Sequence, residues 1–380
     1  MLIFVRNTLR ILKFTSGSTS LRRVIKFEKI NNTFHAKSMS SEPKKMKTGV
    51  ISKIGTHNET FHCDEVLACY MLQQLENMKH AKIVRSRDPE ILNTCDIVVD
   101  VGGIFDADRN LYDHHQKGFN ETFSSLKPEF GGGYNIRLSS AGLVYVYYGE
   151  KVLQAILKKE DVTLDANQLK TIYEQVYKSL IMEIDAIDNG VPICDGEQKY
   201  FITTHLSSRV QHLNPQWNDT GSLNEDERFQ KAQDLVGEVL RDKVVFCATV
   251  WLPAREIVKA AILNSKSIHM SGEIIELEKC CPWKDHLFKL EEELNLKGVH
   301  KYVLFCGPNN DWRVMCVPND PNSFVCRKFL LKSWRGLHEF KNQNDIKDMK
   351  FCHSTGFIGG AYSREGVLQM AIKSLESVEE

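Results

Sequence analysis

Apolar and polar positions change their spacing several times along this chain, and the changes mark out its elements. Residues 50–55 read as a short strand. Over residues 64–78, Val66, Leu67, Cys69, Tyr70, Leu72 and Leu75 recur at helical spacing. Strand-like runs return at 81–85 and 97–101. Ile97-Val98-Val99 is apolar without alternation, as in a strand covered on both faces of a parallel sheet. Gly102-Gly103 ends that run, and Leu111-Tyr112 begins another. After a glycine-rich loop at 130–133, Ser139 or Ser140 can cap a helix that continues to about residue 157. A second helix is expected over 166–188, stopped by Asn189-Gly190.

Beyond residue 224 the pattern is mostly helical to 263, with Pro253 as a break or kink. Strands are expected at 273–278, 299–306 and 312–317, the last two joined by a turn at Pro308-Asn309-Asn310-Asp311. A glycine segment around Gly356 and Gly359-Gly360 precedes a C-terminal helix over 364–375. Strand, helix and strand in alternation predict an α/β fold. Its main sheet is mostly parallel and flanked by helices, and a smaller α/β domain follows. The divisions expected are an N-terminal segment (1–47), a catalytic domain (48–223), a helical connector (224–265) and a C-terminal substrate-binding domain (266–380).

Charge changes the picture at the N-terminus. The chain has 380 residues and a formal net charge of zero, yet residues 1–50 carry 11 Lys+Arg against 2 Asp+Glu. The remainder is therefore acidic, with a net charge of −9. Such a body lacks the overall basic profile of a general nucleic-acid binder. Arg6, Arg10, Lys13, Arg22, Arg23, Lys26 and Lys29 share residues 1–41 with several serines, an apolar face and a single acid, Glu28. An arginine-rich, serine-rich, acid-poor amphipathic segment is the pattern of a mitochondrial presequence. Met39 and Met46 offer later starts, and the basic cluster at residues 44–47 leaves room for a second nuclear, nucleolar or cytosolic pool. A disordered tail is the alternative. The 11 cysteines include no Cys-x-x-Cys pair, consistent with reduced thiols. No run reaches the ~18 apolar residues of a transmembrane helix.

The candidate chemistry lies where the predicted strands end. His57, Asp100 and His114 each follow one, which is where ligands collect in open α/β sheets. His62 and Asp64 begin the first helix, Asp113-His114-His115 follows Leu111-Tyr112, and Asp185 and Asp188 lie three apart at the end of the second long helix. Imidazoles and carboxylates converging in this way suit a pair of hard divalent cations. Taken singly, each has a plainer reading: a surface histidine, an aspartate capping a turn, or for Asp185 a capping helix acid. Glu65 and Cys63 read as helix-start and packing residues.

Several segments together resemble the DHH phosphoesterases, and within them the eukaryotic MYG exonuclease family. They are Gly55-Thr56-His57 with His62-Cys63-Asp64-Glu65, then Asp100-Val101-Gly102-Gly103, and Tyr112-Asp113-His114-His115-Gln116. Further on come Ser139-Ser140-Ala141-Gly142, Asp185-Ala186-Ile187-Asp188-Asn189-Gly190 and His353-Ser354-Thr355-Gly356. The superfamily's first motif, His-x-x-x-Asp-x-Asp, is altered here to His57-(x4)-His62-x-Asp64.

The resemblance implies two divalent cations; mixed imidazole and carboxylate ligation suits Mn²⁺, with Mg²⁺ as the alternative. It implies His57, His62 and Asp100 at the first, and Asp64, His114, Asp188 and a shared Asp100 at the second. It implies that Asp113 orients His114, and that His115 contacts phosphate or stabilises the leaving group. His353, Ser354, Gly359 and Gly360 are candidates to grip phosphate. Arg327, Lys328, Trp334 and Arg335 are candidates for charge and stacking against a single strand; a strand-turn-helix corner is the alternative there.

The activity implied is 3′→5′ exonuclease action on single-stranded RNA. The residues by themselves support a two-metal phosphoester hydrolase. A small-substrate phosphoesterase, acting on pyrophosphate, oligoribonucleotides or cyclic dinucleotides, and a non-catalytic metal-binding protein remain as alternatives.

Overall fold

The apolar runs between residues 51 and 112 assemble a single sheet. In the computed structural model, which describes residues 51–219, 224–307, 309–338, 346 and 348–378, the strands are β1 (Lys53–Thr56), β2 (Lys82–Arg85), β3 (Ile97–Val99), β4 (Phe105–Asp106) and β5 (Leu111–Tyr112). The presequence expected over 1–47, and Pro308 of the expected turn, lie outside the described residues. Strand order is β2-β1-β3-β5-β4. The β1/β2, β1/β3 and β3/β5 pairs are parallel, and the short β4 closes the edge antiparallel to β5.

Alternation along β3 divides its side chains between two cores. Ile97 and Val99 join Ile54 and Tyr112 in the large one, packed with helix α1 (Cys63–Gln73). Val98 faces the other way, with Leu92 of the short α2 (Pro89–Leu92). Nearly all of α1 is buried, so its sequence is apolar around most of its circumference. Removing one of these side chains, as in Leu67→Ala, is expected to cost about 2–5 kcal/mol. The helix ends earlier than its spacing predicts, because the residues after Gln73 fold into successive tight turns that lead back into β2.

After α3 (Phe123–Leu126), α4 (Ser140–Lys159) starts at Ser139, whose hydroxyl accepts from Gly142 N. The helix predicted over 166–188 forms as α5 (Ala166–Val176) and α6 (Met182–Asp188), continuous through a π turn at Tyr177–Ile181. It stops at Gly190, which adopts φ +67°. Next come α7 (Leu206–Gln211), α8 (Glu225–Phe246) and α9 (Leu252–Leu263). Pro253 does not break the α8–α9 run. A π turn at Cys247–Trp251 precedes it and accommodates the missing N–H. The expected connector is shared between cores: Phe229, Val236 and Val244 pack with the first sheet's core, while Val258 and Ile262 pack with the second sheet.

That second sheet follows α10 (Ser265–Ile268). It comprises β6 (Ile274–Glu276), β7 (Tyr302–Cys306), β8 (Trp312–Cys316), β9 (Met349–Cys352) and β10 (Ile358–Ala361), in the order β6-β7-β8-β10-β9. Helices α11 (Lys284–Glu293) and α12 (Arg364–Glu376) complete it. Both sheets belong to one compact unit. Among the described residues no helix is long and apolar enough to cross a membrane.

Two strands here depart from the sequence expectation. β9 was not anticipated, and Gly359 and Gly360 lie inside β10, paired on both sides, rather than in a phosphate-gripping loop. A Cβ on Gly359 would come within 2.5 Å of Met370, and one on Gly360 within 2.6 Å of Phe351. The glycines therefore serve close packing across the sheet.

Candidate metal centre

Three strand ends deliver the first ligands. His57 follows β1, Asp100 follows β3, and His114 lies two residues beyond β5. Asp100 adopts φ +56°, a left-handed conformation unusual for a non-glycine residue, and Gly102 and Gly103 continue the turn with positive φ. Strain of this kind is typical of functional positions. Here it points the carboxylate between two histidines: Oδ2 lies 3.4 Å from His57 Nε2 and Oδ1 lies 3.6 Å from His114 Nε2.

Three groups of ligand atoms, each within 4.8 Å of one another, meet here: His57, His62, Glu65 and Asp100; Asp100, His114 and His115; and Asp64, His114 and Asp188. Asp100 links the first two, and His114 links the second to the third. His57 Nδ1 is 3.0 Å from Asn58 O. Donation of Nδ1–H to that carbonyl fixes the tautomer and leaves Nε2 for a cation. Both ring nitrogens of His114 are buried without an aligned hydrogen bond. Its Nε2 nevertheless lies 3.1 Å from Asp188 Oδ2 and 3.9 Å from Asp64 Oδ2. An unpartnered imidazole nitrogen facing three carboxylates fits a divalent cation.

The surroundings hold these groups in place. Asp64 accepts Ser140 N at 3.0 Å and also Ala141 N, so the start of α4 faces its carboxylate. Phe61, next to His62, is clamped by the buried Asn214: Phe61 N donates to its Oδ1 (2.9 Å) and its Nδ2 donates to Phe61 O (2.8 Å). The Arg85 guanidinium sits 5.6 Å from the Phe61 ring centre and 5.0 Å from that of Phe229, and it donates to Glu59 O. The ligand loop between His57 and His62 is thereby tied to β2 and α8.

Protons follow the same geometry. Burial would lower the His57 and His114 pKa values, but Asp100 together with Glu65 or Asp188 raises both to about 10. Burial would raise Asp100, yet His114 and His57 hold it well below the usual carboxylate range. Asp64 is pushed up by burial and by the Asp100 and Asp188 charges. With only protein groups present, the imidazoles hold protons that a cation would displace.

Several expectations need correction. Asp113 does not orient His114; its Oδ1 lies 2.7 Å from His115 Nδ1 and also accepts His115 N, while Oδ2 accepts Gly103 N. Asp185 joins neither group. It is fully buried, with Oδ1 taken by Ser139 N (2.9 Å) and Ser139 Oγ (2.8 Å) and Oδ2 by Tyr177 OH (3.1 Å). Gly142, lacking a side chain, leaves room for it, and burial raises its pKa to about 7. Arg327 is not free for substrate, being paired bidentately with Glu291. Arg335 is engaged too, donating Nε and Nη2 to Leu330 O, as is Lys328, which donates to Leu375 O and Ser377 O; Trp334 is buried. His353 and Ser354 are exposed, with His353 Nδ1 2.9 Å from Thr355 Oγ1.

A cavity of about 620 Å³ opens over the cluster. His115 lines it and is 62% exposed. Arg87, His205, Ser207, Ser208 and Gln211 also line it, and sequence reasoning missed all five. Glu65 was missed as well. It caps α1 by accepting His62 N (2.8 Å), and its Oε1 lies 3.0 Å from His57 Nε2. Its place three residues after His62 carried a helix-start signal that masked the second role.

Fold and site together define an α/β protein with a histidine–carboxylate centre, built at the carboxyl ends of parallel strands and able to hold divalent cations. The chain belongs to the MYG1 exonuclease family, whose model, described as "Uncharacterised protein family (UPF0160)", matches residues 53–375. It is 46% identical over 327 residues to a MYG1 exonuclease of Bos taurus, covering 85% of this chain and 84% of that one. To the MYG1 exonuclease of Homo sapiens it is 43% identical over 339 residues, covering 88% and 89%. A MYG1 protein of Dictyostelium discoideum is 40% identical over 330 residues, covering 85% and 96%.

Proposed function

We propose that this protein is a divalent-metal-dependent phosphodiester hydrolase, a 3′→5′ exonuclease on single-stranded RNA. The observation that carries the hydrolase reading is Asp100, shared between two ligand groups, with the unpartnered His114 Nε2 facing the carboxylates. The names of the relatives and the likeness to DHH phosphoesterases support the exonuclease part.

His57, His62, Glu65 and Asp100 would hold one cation, and Asp64, His114, Asp188 and Asp100 the other. Mixed imidazole and carboxylate ligation suits Mn²⁺, with Mg²⁺ as the alternative. Two such cations supply Lewis acidity, a lowered pKa for water, and a clamp on the oxygens of an in-line displacement. Asp113 keeps the His115 ring fixed through Nδ1, and hydrogen bonding to Asp113 raises the His115 pKa. A protonated His115 at the cavity wall is suited to contact a phosphoryl oxygen and to donate a proton to the departing oxygen. Arg87, on the same wall, adds positive charge for a phosphate.

The mitochondrial matrix is the proposed site of action, from the composition of residues 1–41. Fusing those residues to a reporter and following its import tests that part. Product analysis tests the activity. End-labelled single-stranded RNA, single-stranded DNA and dinucleotides would be incubated with Mn²⁺, Mg²⁺ or chelator. Stepwise release of mononucleotides from the 3′ end of RNA, abolished by chelator, is the expected result. Hydrolysis confined to dinucleotides would favour the small-substrate reading, and no hydrolysis with either metal would remove the enzyme reading.

A further inference from the structure

Helix α7 forms one wall of the metal cavity through Ser207, Ser208 and Gln211, with His205 at its start. The segments before and after it expose large aromatic rings. Tyr200 is 75% exposed, Phe201 79% and Trp217 96%. Trp is ordinarily among the better-buried residues, so rings this open in the segments flanking a cavity wall are candidates for an interaction surface. Chain connectivity bounds their distance from that wall: Trp217 follows Gln211 by a short stretch, about 20 Å at full extension. Phe201 is four residues from His205, and therefore within about 14 Å of it at full extension. The segment carrying Tyr200 and Phe201 begins just after Asp188, a candidate ligand, so both of its ends are fixed at the cavity.

We infer that Tyr200, Phe201 and Trp217, flanking α7, form a stacking platform for the unpaired bases of a single-stranded nucleic acid whose terminal phosphodiester enters the metal cavity. This rests on the nuclease reading above and adds a recognition site to it. Charge argues for stacking over phosphate tracking. The chain beyond residue 50 is net acidic, and the stretch around Tyr200 carries Asp195 and Glu197 beside Lys199. In the second sheet's domain, Arg327, Arg335 and Lys328 are consumed by internal partners. Arg209, exposed on α7, adds one cation there, and the remaining affinity for the strand beyond the scissile bond comes from uncharged contacts. Every base offers a π face, and each base stacked on an aromatic ring contributes about 1–3 kcal/mol, roughly 5- to 150-fold in Kd. Binding of this kind has a shallow salt dependence, unlike contacts that release counterions from phosphates.

The test uses the full chain and a fluorescein-labelled, hydrolysis-resistant phosphorothioate decauridylate, followed by anisotropy across a salt series. Tyr200→Ala and Phe201→Ala are each expected to raise Kd about tenfold with little change in salt slope. Phe201→Trp is expected to restore affinity, and the Trp217 fluorescence to be quenched on binding. Phe324→Ala, which removes an equally open ring (88% exposed) from the other domain, should keep the wild-type Kd. A triple Tyr200→Ala/Phe201→Ala/Trp217→Ala variant with unchanged Kd would overturn the inference.

Sedimentation distinguishes a second occupant. A wild-type dimer that becomes monomeric in the triple variant while Kd holds would make this face a subunit interface and overturn the platform. Cleavage of the unmodified decamer with Mn²⁺ separates the two readings. Aromatic-dependent binding without cleavage leaves the platform standing and removes the nuclease. Cleavage with a KM that ignores the triple variant does the reverse.

Discussion

Each sheet of this protein carries a buried histidine–carboxylate cluster, and the two are built on opposite terms. Beside the second sheet, Glu291 accepts His300 Nδ1 (2.7 Å), Arg327 Nη1 (2.7 Å), Arg327 Nη2 (2.8 Å) and the backbone N–H groups of Gly298 and His300. One carboxylate meets one guanidinium and one imidazole, and both of its oxygens are taken. Burial alone would raise its pKa, but His300 and Arg327 bring it down to about 2. At the first sheet, Asp64, Glu65, Asp100 and Asp188 crowd around His57 and His114, and both His114 nitrogens go without an aligned partner. A buried cluster that closes on itself maintains a structure. His300 Nε2 is buried without a partner as well, so the contrast lies in charge: a cluster with surplus carboxylates around its imidazoles is completed by a cation.

Substitutions at the two clusters should therefore fail in different ways. Asp100→Asn is expected to have the largest effect, a fall in metal-dependent hydrolysis on the order of 10³-fold or more, since it disturbs both ligand groups. Glu291→Gln should do the opposite. It leaves Arg327 buried and uncompensated, costing about 3–5 kcal/mol of stability in denaturant titrations, with hydrolysis per folded molecule unchanged.

Acid probes the second cluster directly. The folded-state pKa of Glu291 is lowered from 4.5 to about 2. Its contribution is therefore fully present above pH 4.5 and is lost as pH falls from there towards 2. Stability measured over that window should fall less steeply in Glu291→Gln than in wild type.

Two further substitutions probe the shell around the ligands. His115→Ala is expected to lower kcat about 10²-fold with metal content intact, as loss of a general acid does. Asn214→Ala unclamps Phe61 and should weaken cation binding about tenfold, the usual scale for a residue that positions a ligand. An unchanged metal affinity in Asn214→Ala would detach the clamp from the site.

The sequence made the strand-end ligands legible because each follows an apolar run, where the rule for open α/β sheets expects them. Ser139 as a cap and Gly190 as a stop were equally plain, since they depend on local chemistry alone. What escaped depended on contacts distant in the chain. Asp185 and Asp188 sit three apart on one helix, yet Ser139 and Tyr177 draw Asp185 inward, while Asp188 reaches His114. The partner of Asp113 was misjudged because adjacent histidines leave a choice that only the turn geometry makes. Arg327 and Arg335 looked like free cations because nothing local announces Glu291 or the Leu330 carbonyl. Gly359 and Gly360 resembled a loop because composition cannot distinguish a turn from a strand pressed against Met370 and Phe351.

The most direct test of the contrast is to count cations. Metal-free full-length protein would be titrated with Mn²⁺ at pH 7 by calorimetry in two buffers of different ionisation enthalpy. The structure predicts two ions per chain, bound with release of protons from the cluster around His57 and His114, and with affinity that weakens as the pH is lowered. Fewer than two ions, or binding without proton release, would contradict it.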